Sequence, residues 1–208
     1  KVGGILANSN YPANFLYDNL AIQNSVISAS YKYNVKKLMF LGSSCIYPRD
    51  AEQPLKESSL LTGELEPTNE AYAIAKIAGI KLCEFYRKQY GVDYISVMPT
   101  NLYGPGDNFH PQNSHVVAAL ILRFHEAKKL NKKNIVLWGS GKPMREFMHV
   151  DDLASGLIFL MENYSEDKHI NIGTGKEISI KDFSNIIKFI SGWTGKIEFN
   201  DSYPDGMP

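Results

Sequence analysis

Apolar positions recur along the chain in two rhythms, short continuous runs and helical repeats, and their alternation predicts the elements. Residues 2–7, Val2-Gly3-Gly4-Ile5-Leu6-Ala7, read as a buried strand. Residues 10–33 carry Phe15, Leu16, Leu20, Ile22, Val26, Ile27 and Ala29 near helical spacing and read as a helix. Lys37-Leu38-Met39-Phe40-Leu41-Gly42 is a second strand. Residues 49–68 are polar and punctuated by proline, which reads as a long loop. Residues 69–90 give the clearest helix, with Ile74, Ile77, Ala78, Leu82 and Phe85 on one face and Lys81, Glu84 and Lys88 on the other. Gly91 stands at the usual C-terminal stop. Residues 94–98 form a third strand and 104–113 a second loop.

In the second half, residues 115–129 read as a helix with Ser114 as its cap. Residues 135–138 form a short strand, and 150–163 a helix whose first turn holds Asp151 and Asp152 at the positive dipole end. Residues 170–172 form a strand closed by Gly173-Thr174-Gly175, 179–191 a helix and 196–199 a strand. Strands alternate with helices, and the early strands are continuous apolar runs. The expected fold class is α/β, with a parallel sheet covered on both faces.

Composition narrows the classes. At 208 residues and 44% apolar, the chain supports a packed core. Lys plus Arg (22) balances Asp plus Glu (22), so no basic excess points to nucleic acid. No run of about 18 apolar residues predicts a membrane span. Two cysteines, Cys45 and Cys83, make neither a disulfide framework nor a zinc pattern, and no metal is expected. A soluble, intracellular chain is the expectation. It opens without Met and closes on a loop-like Ser202-Tyr203-Pro204-Asp205-Gly206-Met207-Pro208, so it reads as a fragment.

The chemistry gathers at strand ends. Tyr72 and Lys76, four apart on the 69–90 helix, share one face. An ammonium beside a phenol favours phenolate and is expected to pull its pKa down. Alone, the spacing also fits a core tyrosine with a surface lysine. Gly42-Ser43-Ser44-Cys45-Ile46-Tyr47-Pro48 follows the second strand, where ligands of open α/β sheets bind. Ser43 or Ser44 suits a substrate carbonyl, although a serine pair also suits an ordinary turn. Cys83 reads as core.

With Pro99-Thr100-Asn101-Leu102-Tyr103-Gly104-Pro105, then Arg145-Glu146-Phe147-Met148-His149-Val150-Asp151-Asp152 and Asn171-Ile172-Gly173-Thr174-Gly175, the chain resembles the extended short-chain dehydrogenase/reductase family. That resemblance implies a Rossmann-type doubly wound parallel sheet with a smaller α/β substrate domain. The expected layout is a partial dinucleotide-binding domain at 1–103 and a mainly substrate-binding domain at 104–208, with roughly 148–176 returning to the first. Three stretches are similar to the branch of that family converting GDP-4-keto-6-deoxy-D-mannose to GDP-L-fucose with NADPH. They are Gly42 to Pro48, Glu66 to Gly79, and Asp107 to Val116.

The resemblance assigns catalysis to Ser43, Cys45, Tyr72, Lys76 and His115. It assigns the cofactor NADPH/NADP to Leu41, Gly42, Ser43, Ser44, Lys76, Pro99, Thr100, Asn101, Leu102 and His115. It assigns the GDP-sugar to Arg123, Trp138, Arg145, Lys196 and Asp205, and it implies a homodimer through the 10–33 and 69–90 helices. Cys45 is cast as base and His115 as acid, with that direction open, because a C4 ketone acidifies C3 and C5 and such a pair needs pKa values not far from neutral. The fingerprint G-x-G-x-x-G does not occur in the chain, and Gly3-Gly4 lacks its spacing. The resemblance puts it about sixty residues upstream. Rival readings are another GDP-deoxysugar 4-reductase such as one acting on a deoxyheptose, a non-catalytic nucleotide-sugar-binding homologue, and a plain structural domain.

Overall fold

The computed structural model describes residues 2–110, 114–203 and 205. Lys1, the Pro111-Gln112-Asn113 part of the third quoted stretch, and Pro204 and Gly206 to Pro208 of the closing loop lie outside the described residues. Among the described residues no helix is long and apolar enough to cross a membrane.

The chain begins with a short helix, α1 (Ile5–Asn10), where a strand is expected from the apolar run. A run of six apolar or glycine residues does not distinguish the two. Here the Asn8 side chain donates back to the Gly3 and Gly4 carbonyls, at 2.7 and 3.1 Å, and closes a helical turn. Then α2 (Pro12–Lys32) starts with proline at its first position, where the missing N–H costs nothing. It leads into β1 (Lys37–Leu41), and after a loop α3 (Glu70–Tyr90) leads into β2 (Asp93–Pro99). Gly91 ends α3 in the left-handed conformation, φ +69°, as the sequence predicts.

Three strands missing from the pattern then appear: β3 (Asn101–Tyr103), β5 (Met144–His149) and β7 (Glu177–Ser179). They are short or polar, so alternation carries little signal. Between and after them come α4 (Val116–Lys129), β4 (Asn134–Trp138), α5 (Val150–Asn163), β6 (Ile170–Ile172), α6 (Ile180–Ser191) and β8 (Lys196–Asn200). The first sheet has the order β1-β2-β6 and is parallel throughout. A second, β3-β5-β7, is mixed, and β4 pairs with β8 in parallel.

Two cores result. One joins Ile46, Tyr47, Ile77, Ile80 and Met98 under α3. The other joins Leu120, Phe124, Leu137, Ile187 and Trp193 between α4, α6 and the β4/β8 pair. Gly79 of α3 faces the Phe40 ring so closely that an added Cβ would overlap it. Gly79→Ala is expected to cost about 1–3 kcal/mol, the usual range for overpacking, read as a lower urea midpoint. An unchanged midpoint would mean that Phe40 yields.

The inward faces of α2 and α3 differ from those expected. On α2 the buried stripe is Phe15, Asn19, Gln23, Ile27 and Ser30. Gln23 is admitted to it because its Nε2 donates to the Ala75 carbonyl of α3 at 2.7 Å. Ile22 and Val26 point outward, as do Ile74 and Phe85 on α3, which buries the expected Ile77 and Cys83 together with Ala73 and Ile80. The cap of α4 is His115, and the Ser114 hydroxyl expected in that role is buried with no partner among the described residues.

Candidate active site

At the carboxyl end of β1 the chain leaves the sheet through Gly42, whose N–H donates to the Val97 carbonyl at 2.9 Å. A Cβ there would overlap the Met98 sulfur, so the close approach requires glycine. Extended Ser43 then opens a single 3-10 turn, Ser44–Ile46, which turns Cys45 inward. One helical turn separates Tyr72 from Lys76 on α3, and both face this loop. The Lys76 ammonium donates to the Leu41 carbonyl at 2.7 Å and stands 5.6 Å from the centre of the Tyr72 ring.

Ser43, Cys45, Tyr72 and Lys76 form one electrostatic group. Burial pushes the Cys45 thiol up to about 11, while a hydrogen bond with Ser43 and the nearby Lys76 charge pull weakly the other way. Burial, and then the neighbouring Cys45, push the Tyr72 phenol up as well. Burial pulls Lys76 down, and Cys45 opposes that. The expected lowering of Tyr72 by Lys76 is therefore not found. The ammonium is committed to a backbone carbonyl, and burial of the phenol sets the direction. Nor is Cys45 near neutrality, since only 8% of its surface is exposed. At neutral pH both groups hold their protons.

His115 lies apart in sequence, and it is its neighbour Ser114 that comes near the segment that packs on Phe15 and, through it, Tyr72. The carbonyl of the preceding Ser114 is 3.1 Å from where Gly4 would carry a Cβ. Gly3 in turn packs on Phe15, which meets Tyr72 edge-on with ring centres 6.5 Å apart. The His115 side chain is exposed at the start of α4.

At the carboxyl end of β2, after buried Pro99, the Thr100 hydroxyl and the Asn101 amide both donate to the Glu146 carbonyl, at 2.9 and 3.1 Å. Half-buried Leu102 continues into β3. The carboxylate of Glu146 accepts from the Thr174 N–H, from the Thr174 hydroxyl at 3.1 Å, and from the Gly175 N–H at 2.8 Å. Glu146 thus clamps the 173–175 loop beside Thr100 and Asn101. The sequence reading passed over it, although it stands beside Arg145 in the same motif. Leu41 ends β1, where Lys76 grips its carbonyl, and Ser44 opens the turn that follows.

A second group gathers at the carboxyl end of β4. Trp138 stacks on Tyr203, with ring centres 4.6 Å apart and planes 7° from parallel, and the Arg123 guanidinium lies 5.2 Å from the Trp138 ring. Asp205 accepts from the Ser140 N–H and hydroxyl, both at 2.7 Å, and its carbonyl accepts from Arg145 at 3.3 Å. Burial pulls Arg145 down, and Asp205 and then Glu66 oppose it. Burial also pulls down Arg123. Sequence reasoning missed Ser140 and Tyr203. Gly139 and Gly141, both at positive φ, mark the turn that presents Ser140.

Lys196 is not brought to this group. It pairs with Asn134 at the opposite end of the β4/β8 ribbon, about 13 Å along the strand at 3.3 Å per residue, where it meets Glu198 at 3.1 Å.

The model of the NAD dependent epimerase/dehydratase family matches residues 1–173. The chain is 58% identical over its whole length to GDP-L-fucose synthase 1 of Arabidopsis thaliana, covering 64% of that protein. It is 57% identical to GDP-L-fucose synthase of Escherichia coli, covering 68% of that protein. Among solved structures, a GDP-mannoheptose C4 reductase from Campylobacter jejuni with NADP bound is 42% identical. It superposes with a TM-score of 0.88 over 99% of this chain and 69% of its own. The chain spans about two thirds of the length of the relatives it matches.

Proposed function

The chain belongs to the NAD dependent epimerase/dehydratase family, and from that premise we propose that it takes part in converting GDP-4-keto-6-deoxy-D-mannose to GDP-L-fucose. The observation that carries this reading is the grouping of a hydroxyl, a thiol, a phenol and an ammonium, Ser43, Cys45, Tyr72 and Lys76, at one strand end. It is supported by relatives named for that synthesis at 57–58% identity.

Each residue has a physical task. The C4 oxygen of the sugar accepts from Ser43 and Tyr72, both neutral donors. A base takes the proton from C3 or C5 and leaves the electron pair as an enolate on that oxygen. An acid returns a proton to the opposite face. Cys45 and His115 are the pair, and the same donors stabilise the charge at both steps. For reduction, Tyr72 gives its proton to the C4 alkoxide. A phenol is protonated at neutral pH even at its ordinary value, and the C4 alkoxide is a stronger base than the phenolate left behind.

The residues at the strand ends fit a dinucleotide's nicotinamide end. Lys76 keeps ammonium protons beyond the one used on Leu41, and Thr100 and Asn101 are held rigid by Glu146. NADPH when bound supplies the hydride for C4. Arg123 and Arg145, both half-buried, would take the diphosphate, with Trp138 and Asp205 beside them. Residues 1–103 would then hold the cofactor and 104–208 mainly the substrate, with 148–176 returning through β6. A homodimer would cover the apolar outer faces of α2 and α3.

Solvent deuterium is expected to enter C3 and C5 of the ketosugar without NADPH in the full-length protein. With Cys45 as base, the exchange rate should rise about tenfold per pH unit from neutrality towards the thiol's raised pKa. The folded state holds that proton too tightly at pH 7, so alkali exposes the reactive form. Absence of exchange would remove the epimerase reading and favour a 4-reductase of the heptose type. A flat profile would reassign Cys45 as the acid.

A further inference from the structure

The turn that carries Ser43 and Cys45 is held weakly by its own bonds. The Ile46 N–H reaches the Ser43 carbonyl and the Tyr47 N–H the Ser44 carbonyl, each at 3.3 Å, beyond the usual N–H···O range of about 2.7–3.2 Å. Its shape is therefore set from its ends. At the near end Gly42 is bonded to Val97, and the Leu41 carbonyl to Lys76. At the far end stands Tyr47, two residues past Cys45, 1% exposed and packed among Ile46, Ile77, Ile80 and Met98. A phenylalanine ring would fill that apolar cluster equally well, so packing does not explain the hydroxyl.

The Tyr47 hydroxyl lies between Asn171 Oδ1, at 2.5 Å, and His169 Nε2, at 3.0 Å. The direction of each bond is forced. Asn171 Nδ2 donates to the Leu55 carbonyl at 3.1 Å. A carbonyl only accepts, so the amide nitrogen faces Leu55 and the amide oxygen faces Tyr47. An amide oxygen likewise only accepts, so the phenol gives it its one proton. Towards His169 the phenol oxygen is left to accept, and Nε2 must carry a proton. Burial pulls His169 down, with Lys81 adding to it and Glu84 and Glu57 opposing, so the ring is neutral at pH 7 and Nε2–H is its tautomer. The chain of bonds runs one way, from His169 through Tyr47 and Asn171 to Leu55. The Asn171 N–H also donates to Glu57, at 2.9 Å, so Asn171 ties the turn to β6 and to the 49–68 loop together.

A satisfied polar network rigidifies what it touches, and this one touches the end of the turn that carries the thiol and the hydroxyl of the candidate site. We propose that Tyr47 is a positioning residue for Ser43 and Cys45, held in place by His169 as its hydrogen-bond donor. The proposal rests on the nucleotide-sugar reading of that site and adds the group that sets the reach of its proton-moving residues.

In the full-length protein, Tyr47→Phe is expected to lower kcat for deuterium exchange at C3 and C5 of the ketosugar by about ten- to a hundredfold, as small misplacements of a reacting group do, with KM within about threefold. A merely structural role would lower the thermal midpoint and leave kcat unchanged well below it. His169→Gln puts an N–H donor where Nε2 stood and should keep the exchange rate within about threefold, whereas His169→Phe keeps a ring without the donor and should lower it about tenfold. Packing alone would rank those two variants the other way. In the unaltered protein, the ring nitrogen shifts of His169 measured by NMR should show the Nε2–H tautomer at neutral pH, whatever the folding of any variant. Unchanged kcat in Tyr47→Phe, a loss confined to KM, His169→Phe matching or exceeding His169→Gln, or an Nδ1–H ring would each overturn the positioning role. If the unaltered protein catalyses no exchange, the epimerase reading falls and takes the role with it. Exchange that is indifferent to Tyr47→Phe removes the role alone.

Discussion

Tyr72→Phe is expected to lower C4 reduction by about 10²–10⁴-fold, the usual worth of a positioned proton donor, while GDP-sugar binding stays near its original strength. The change deletes one hydroxyl and keeps the ring. That ring packs edge-on against Phe15 and lies beneath Lys76, so the loop and α3 keep their relation. What disappears is the proton for the C4 alkoxide. A phenol is protonated at neutral pH and burial only displaces it further that way, so the wild-type residue has its proton to give. Single-turnover hydride transfer with an epimerised ketosugar checks this directly. Undiminished turnover would end the proton-donor assignment.

Cys45→Ser is expected to cut deuterium exchange at C3 and C5 by about 10²–10⁴-fold and to change reduction of an already epimerised ketone by less than about tenfold. Serine matches the shape and keeps a partner for Ser43 but is far less acidic than a thiol. Even the thiol is displaced upward here, since only 8% of it reaches water. Exchange in the variant should therefore stay slow across the accessible pH range, without the alkaline rise expected of wild type. Equal losses in exchange and reduction would mean that Cys45 shapes the pocket and does not move the proton.

The candidate site was legible in parts. Tyr72 and Lys76 are four residues apart on one helix, so local geometry alone places them on one face. Ser43 and Cys45 follow a strand end, again a local relation. The clamp at Glu146 was not legible, because it joins Thr100, Asn101 and the 174–175 turn across three segments. The gathering of Arg145 and Asp205, sixty positions apart, was available only through resemblance. Lys196 came from the same resemblance and is seated at the far end of its strand pair, because parallel register sets Asn134 and not Trp138 beside it.

Along the chain, the sequence by itself determined the order of most helices and strands, the stop at Gly91, and which polar residues follow strand ends, because periodicity and turn chemistry act between near neighbours. Tertiary structure alone decided that residues 5–10 form a helix, that Ile74 and Phe85 face outward, and that Cys45 and Tyr72 are displaced upward rather than downward. Those outcomes depend on what packs around a side chain from every direction, and desolvation is a property of that whole surrounding.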